Sequence, residues 1–285
     1  MNPIDPAAAP ASGLTVRRLM LDLRTPLPPR WHRNDFLTQY FNALSMSFPV
    51  GEQFFIDAVR GALPFLPKGE EHAALRAEIP LFIGQEATHR HLHAQYNAHL
   101  EAQGLVNRWQ HWARRRLAIA QRLGMHPKSL LAVTCAYEHI TATLAHGTLR
   151  HADWLEGAEP RLQTLWLWHA SEEVEHRSVA FDLYRAVGGS HIRRLRWYLH
   201  VLLLMALEAT AQTVLNLHHS GALWRLATWR DGLAFFWGRR GAVWRCGPAL
   251  LRYLRRDFHP GHDPAAMLAS QWLAEHGHQW RAVRA

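Results

Sequence analysis

Apolar residues along this chain return at intervals of three and four, the period of one face of an α-helix, in long runs parted by glycine and proline. The first run predicts a helix over Asp35–Leu63, broken at Pro49–Gly51 and ended by Gly61 and Pro64. The second has Leu75, Ile79, Leu81, Phe82, Leu92 and Tyr96 in register. It predicts a helix over Glu70–Gln103 that Pro80 kinks and Gly104 stops. Further helices are predicted over Asn107–Leu123, ended by Gly124, and over Pro127–Trp154, with proline in its first turn. Another spans Glu159–Val187 and ends at Gly188–Gly189. Beyond it lie His191–His219, Leu223–Trp237, Ala242–Arg256 and Pro264–Ala285. No run alternates with period two or is rich in β-branched residues, so no strand is expected and the fold class is all-α.

With 285 residues, 48% of them hydrophobic, the chain can bury one large core. The expected organisation is an N-terminal extension over 1–30, disordered around Pro6–Pro10, a four-helix bundle over 31–190, and helices over 191–285 that pack on it. Met1–Thr15 has no basic start followed by an apolar run, so no signal peptide is expected. Cys135 and Cys246 allow at most one disulfide and form no CxxC pair, which makes a reducing cytoplasm the default. The most apolar stretch, Trp197–Leu217, carries His200, Glu208 and Gln212, and reads as a buried amphipathic helix rather than a span.

Histidine changes the picture: the chain has 21. Glu86-Ala-Thr-His89 and Glu173-Val-Glu-His176 each place a carboxylate and an imidazole three residues apart, on one helix face, within reach of one metal ion. Each pair follows a helix with a lone glutamate on an apolar face. Glu52 lies amid Phe48, Phe54, Phe55 and Ile56, and Glu138 lies within LAVTCAYEHITATLAHG. A buried carboxylate is costly unless paired or metal-bound. The order Glu, Glu-x-x-His, Glu, Glu-x-x-His is that of ferritin-like two-metal bundles. The spacings from Glu52 to Glu86 and from Glu138 to Glu173 are 34 and 35 residues, as a duplicated helix pair would give. A third match, Glu275 to His278, has no partner helix and is set aside as accidental.

Other residues flank this set. His169, four before Glu173, shares its face and is either a seventh ligand or an outer imidazole; His93, four after His89, reads as outer or surface. His139 should point elsewhere. Glu172 and Glu175 flank Glu173, and Glu172 is an alternative ligand. Asp57 and Asp182 are either supports for ligand imidazoles or surface acids. HExxH, Walker A and GxSxG motifs do not occur, so zincin, phosphate-loop and serine-hydrolase readings lack support.

The blocks NALSMSFPVGEQFFIDAVR, FIGQEATHRHLHAQYN and WHASEEVEHRSVAFDLY resemble a bacterial family called predicted metal-dependent hydrolases, from about Arg17 to the C-terminal helices. The ligand pattern is also similar to that of the p-aminobenzoate N-oxygenase family, whose di-iron enzymes carry a further histidine four residues before the second Glu-x-x-His. That resemblance implies seven ligands: Glu52, Glu86, His89, Glu138, His169, Glu173 and His176.

Carboxylates and imidazoles without thiolates suit iron or manganese, as a homometallic or mixed pair. On the leading expectation the centre activates O₂, with an electron donor as partner, and oxidises a small apolar or aromatic molecule. Glu86 and Glu173 bridge the metals, Glu52 and His89 complete one, and Glu138, His176 and His169 the other. Phe54, Phe55, Phe82 and Tyr137 supply the apolar lining. The four glutamates are thus the expected catalytic residues. The alternatives are hydrolysis by a metal-activated water and metal binding without catalysis. Oligomeric state is open. The net charge is +9, and Lys68 and Lys128 are the only lysines. Residues 190–256 hold eleven arginines against Glu208 and Asp231, interleaved with tryptophan and phenylalanine. Solvated helices packed on the bundle are the plainer reading, and peripheral contact with an anionic membrane is the alternative. No nucleic-acid recognition motif occurs.

Overall fold

Asn34 accepts a hydrogen bond from the amide of Leu37 at 2.8 Å and so starts α1, Asp35–Ala62. This is a computed structural model, and it describes residues 13–262 and 266–283. The expected break at Pro49–Gly51 does not occur, because the backbone group Pro49 leaves unpaired is used elsewhere. The Ser45 carbonyl, which has no N–H to accept at position 49, takes Nδ2 of Asn97 at 2.9 Å. α2 (Ala73–Ala102) likewise runs through Pro80. Gly104 and Gly124, at φ 90° and 58°, end α2 and α3 (Arg108–Arg122) as predicted.

α4 is Pro127–Arg150, and the stretch to Trp154 is a separate 3₁₀ turn. The helix expected over Glu159–Val187 is two, α5 (Pro160–His176) and α6 (Val179–Ala186). The Val174 carbonyl, which the ladder would pair with the Ser178 amide, accepts the Arg177 guanidinium instead. α7 (His191–His219) begins at a Ser190 cap; α8 (Leu226–Trp237) starts three residues later than expected, and α9 (Ala242–Arg252) and α10 (Ala266–Glu275) end earlier. Two strands were not anticipated. β1 (Arg17–Leu19) pairs antiparallel with β2 (Trp280–Ala282), with Arg18 opposite Arg281. Three residues each are too short for a readable alternation.

α1 packs on α2, α4 on α5, and α1 on α4, so these four helices surround one core. α7 is more than an appendage: it lies along α1 and α4 and buries Tyr198, Val201, Met205 and Leu217. The described part of the segment expected as an extension is also packed, since Leu14, Val16, Leu19, Leu23 and Leu27 are buried. Pro6–Pro10 falls outside the described residues.

Candidate metal centre

Glu52 on α1, Glu86 and His89 on α2, Glu138 on α4, and His169, Glu173 and His176 on α5 are all buried, and the structure brings them into one cluster. Their ligating atoms form overlapping groups: Glu52 with Glu86 and His89, Glu52 with His93 and His169, His89 with His169 and Glu173, and Glu86 with Glu173 and His176. Glu86 and Glu173 each belong to groups on both sides. His169 stacks on His89 at 4.3 Å, so it lies with Glu52 and His89 and not beside His176 as the sequence suggested. Glu138 approaches His176 Nε2 at 3.5 Å.

The hydrogen bonds decide which face of each imidazole looks inward. Gln85 donates its amide to the Thr15 carbonyl (2.9 Å) and to Glu175 (3.0 Å), so its Oε1 is an acceptor, and it takes His176 Nδ1–H at 2.9 Å. His176 Nε2 therefore presents a lone pair, 3.0 Å from Glu86 Oε1 and 3.7 Å from Glu173 Oε1. Two acceptors that close repel unless a proton or a cation lies between them. Glu172 does the same for His89: its Oε2 accepts Nε2–H at 3.0 Å and leaves Nδ1 facing Glu173 Oε1 at 3.7 Å.

A third chain starts at the proline in α1. The Ser45 carbonyl holds the amide of Asn97; Asn97 Oδ1 then accepts the Ser45 hydroxyl (2.8 Å), and Ser45 Oγ accepts His93 Nδ1–H (2.9 Å). His93 Nε2 accepts His169 Nδ1–H at 2.7 Å, and His169 Nε2 turns its lone pair to Glu173 Oε1 at 3.0 Å. Both ring nitrogens of His93 are thus engaged, on Ser45 and on His169, so it supports His169 although it also lies close to Glu52. Thr141 donates to Glu173 Oε2 at 2.5 Å.

The outer layer closes on Arg17. Its Nη1 reaches Glu172 Oε1 at 3.2 Å and Glu175 Oε2 at 2.6 Å, and Nη2 reaches Glu175 Oε1 at 2.9 Å. The guanidinium sits 4.9 Å over the Trp280 ring, where the β1–β2 pair covers this side of the bundle. Glu172 is therefore a support of His89, with its other oxygen on Arg17.

The electrostatics fit a cation site. Burial first, and neighbouring carboxylates second, hold the Glu52, Glu86 and Glu138 carboxyls well above their usual range. Burial, then His169 and His176, hold His89 well below its own. Within the cluster, eight buried atoms have no hydrogen-bond partner: both oxygens of Glu52, Glu86 and Glu138, His89 Nδ1 and His176 Nε2. All converge where lone pairs already crowd, and a cation inverts that balance. The residues present fit metal ions.

Other candidates lie elsewhere. His139 points away, with Nε2 on the Ala249 carbonyl and its ring stacked on Tyr253. Asp57 is exposed beside Gln53, and Asp182 accepts His259 rather than a cluster histidine. His278 is exposed, consistent with an accidental motif. An apolar cavity of about 250 Å³ is lined by Phe54, Phe55, Tyr137 and Thr141. Phe82 is not on it, but sits edge-on to His176 at 5.0 Å. A smaller cavity of about 50 Å³ reaches His169 and Glu173, with Phe48 and Thr141 shared between the two. Sequence reasoning missed Arg17, Gln85, Ser45, Asn97 and Thr141. A signal for one pairing existed: Gln85 immediately precedes Glu86 as Glu172 precedes Glu173, and each supports the histidine of the other helix.

Fold and cluster together define a helical protein with a buried carboxylate–imidazole cluster that could hold metal ions. The chain belongs to the family described as predicted metal-dependent hydrolase, whose profile matches residues 15–263. No curated protein and no solved structure matches it.

Proposed function

We propose that this protein is a two-metal enzyme acting on an apolar small molecule, with hydrolysis as the reaction class its family description favours. The observation that carries the reading is the set of eight buried, unpartnered donor atoms aimed at one another. Buried carboxylates and imidazoles left in that state are costly, and two divalent ions would balance four carboxylates. Glu86 and Glu173 would be shared. Glu52, His89 and His169 would hold one ion, and Glu138 and His176 the other. Iron and manganese suit this donor set. Such a pair would polarise a reactant oxygen and lower the pKa of a bound water.

The chain supplies the rest. Glu173 is the carboxylate on the small cavity's wall, with Thr141 fixing its Oε2, and as a shared ligand it would present the ions to the bound reactant. The apolar walls seat the substrate and exclude bulk solvent. The Glu172–Arg17–Glu175–Gln85 ring keeps both imidazole tautomers in place.

A second reading is O₂-dependent oxidation, with an external electron donor. It is favoured by the small cavity itself, whose polar lining besides the cluster residues and two indoles is the hydroxyls of Thr141, Thr148 and Tyr40, few groups to grip an ester or phosphate.

The test is metal content by elemental analysis on wild type, Glu86→Ala and Glu173→Ala, followed by turnover of p-nitrophenyl esters in ¹⁸O-water with and without O₂. Two ions per wild-type chain, their loss in both folded variants, and solvent oxygen in the product are expected. Full metal retention in either variant would falsify the ligand assignment. Oxygen from O₂, with a need for reductant, would replace hydrolysis with oxidation.

A further inference from the structure

We infer that the α7–α9 face seats on an anionic lipid bilayer, and that the apolar trough opening through it is the path of a lipid-dissolved substrate to the centre. The second half rests on the function proposed above; the first half does not.

Among the described residues, α7 is the one helix long and apolar enough to cross a membrane. Its inner face carries Tyr198, Glu208, Gln212 and Asn216 and is packed into the protein. Its outer face is an exposed stripe of Ile192, Leu199, Leu203, Leu207 and Leu215. The apolar exposure continues through Trp224, at 87%, and Leu226, at 88%, to Leu233, Trp237, Trp244 and Leu251. Soluble monomers rarely show a contiguous patch of this kind.

Charge chooses the occupant. Glu208 is tied down by Arg116, and Asp231 is paired with Arg230. Arg196, Arg239, Arg240 and Arg256 are exposed with no carboxylate partner among the described residues. A face that is apolar, rich in tryptophan and flanked by unpaired arginine matches the boundary between acyl chains and anionic headgroups. A symmetric dimer through this face would bring like charges together.

The trough lies between α7 and α8–α9 and has a volume of about 470 Å³. Leu202 and Ala206 form one wall, and Leu233 and Trp237 the other. Tyr40, Leu44, Leu144 and Met205 line it and also line the small cavity that reaches His169 and Glu173. The trough and the metal-facing cavity thus share a single layer of side chains.

The experiment is flotation of the full chain, metal-loaded and metal-free, with phosphatidylcholine vesicles and with vesicles that also contain phosphatidylglycerol. Binding to the anionic vesicles is expected in both metal states. Arg239→Gln/Arg240→Gln should weaken it about 25-fold, at about fivefold per surface arginine. Leu203→Glu/Leu233→Glu, at exposed positions, should abolish it with metal content unchanged. No binding to anionic vesicles at physiological salt overturns the docking. So does binding that neither variant alters, or dimerisation abolished by the leucine variant in a protein that ignores vesicles. If docking holds but hydrolysis of a vesicle-dissolved p-nitrophenyl ester survives the leucine variant, the path is wrong. If no ester is turned over in any form, the enzymatic reading fails and the docking stands.

Discussion

Arg17 is the keystone of the layer outside the cluster, and its removal has a size that can be worked out. It makes a two-pronged pair with Glu175 at 2.6 and 2.9 Å and a third contact with Glu172 at 3.2 Å. The Arg17 and Glu172 side chains are 8% and 0% exposed. Burial drives the Glu172 carboxyl well above the ordinary range, and Arg17 is the chief force against it. In Arg17→Met the stem is kept and the charge is lost, so Glu172 is stranded. Breaking a buried pair from one side costs about 3–5 kcal/mol. Glu172→Gln leaves Arg17 on Glu175 and keeps an acceptor for His89, so it should cost about 1.5–3 kcal/mol, the scale of one hydrogen bond to a charged group. The double variant strands no carboxylate at 172, and its cost should fall short of the sum by about 1–3 kcal/mol. The assay is urea unfolding of metal-free protein followed by circular dichroism, with linear extrapolation for all four forms. Additivity within about 0.5 kcal/mol would show that Arg17 and Glu172 act independently, and the closed outer ring would have to be given up.

Two further outcomes follow from the same contacts. His93→Phe removes the acceptor for His169 Nδ1–H, so one ion should bind about 10–100-fold more weakly and the other as before, by chelator competition; affinities unchanged from wild type for both would show that His93 does not support His169. His32 is held down to about 4, by burial first, with Nε2 on the Trp154 carbonyl at 2.9 Å. Its folded value lies below its unfolded one, so its contribution of about 3 kcal/mol is full above pH 6.5 and is lost as pH falls from 6.5 to 4. His32→Gln should flatten unfolding free energy against pH across that window, and an unchanged slope would contradict the assignment.

The ligand cluster was legible because helical geometry makes spacing into proximity. Glu-x-x-His fixes a shared face without tertiary knowledge, and matched gaps put the lone glutamates opposite. The outer layer was not legible in the same way. Arg17 lies 155 positions from Glu172, and nothing local in a three-residue strand announces that meeting. Pro49 was read by its local rule as a break, and tertiary structure overrode it by giving the freed Ser45 carbonyl a partner on α2. The division at Arg177 has the opposite origin: a side chain competes for a helical carbonyl where the apolar periodicity is uninterrupted. His169 was found by spacing, yet its side of the cluster depended on how α5 is turned against α2, which periodicity alone leaves undetermined.

The exchange of supports between Gln85 and His176, and between Glu172 and His89, is reciprocal, as in an interface between two identical partners. One helical hairpin bearing a lone glutamate and a Gln-Glu-x-x-His, paired with a copy of itself, would supply four carboxylates, two imidazoles and both tethers. Such a homodimer would be bound to two equal seats. This chain departs from equality at corresponding positions: His169 stands against His89 where Phe82 stands against His176, and a carboxyl at Glu172 answers a carboxamide at Gln85. On the two-metal reading proposed above, joining the halves in one polypeptide would permit a nitrogen-rich seat beside a plainer one, and with it an order of filling that no symmetric assembly could impose.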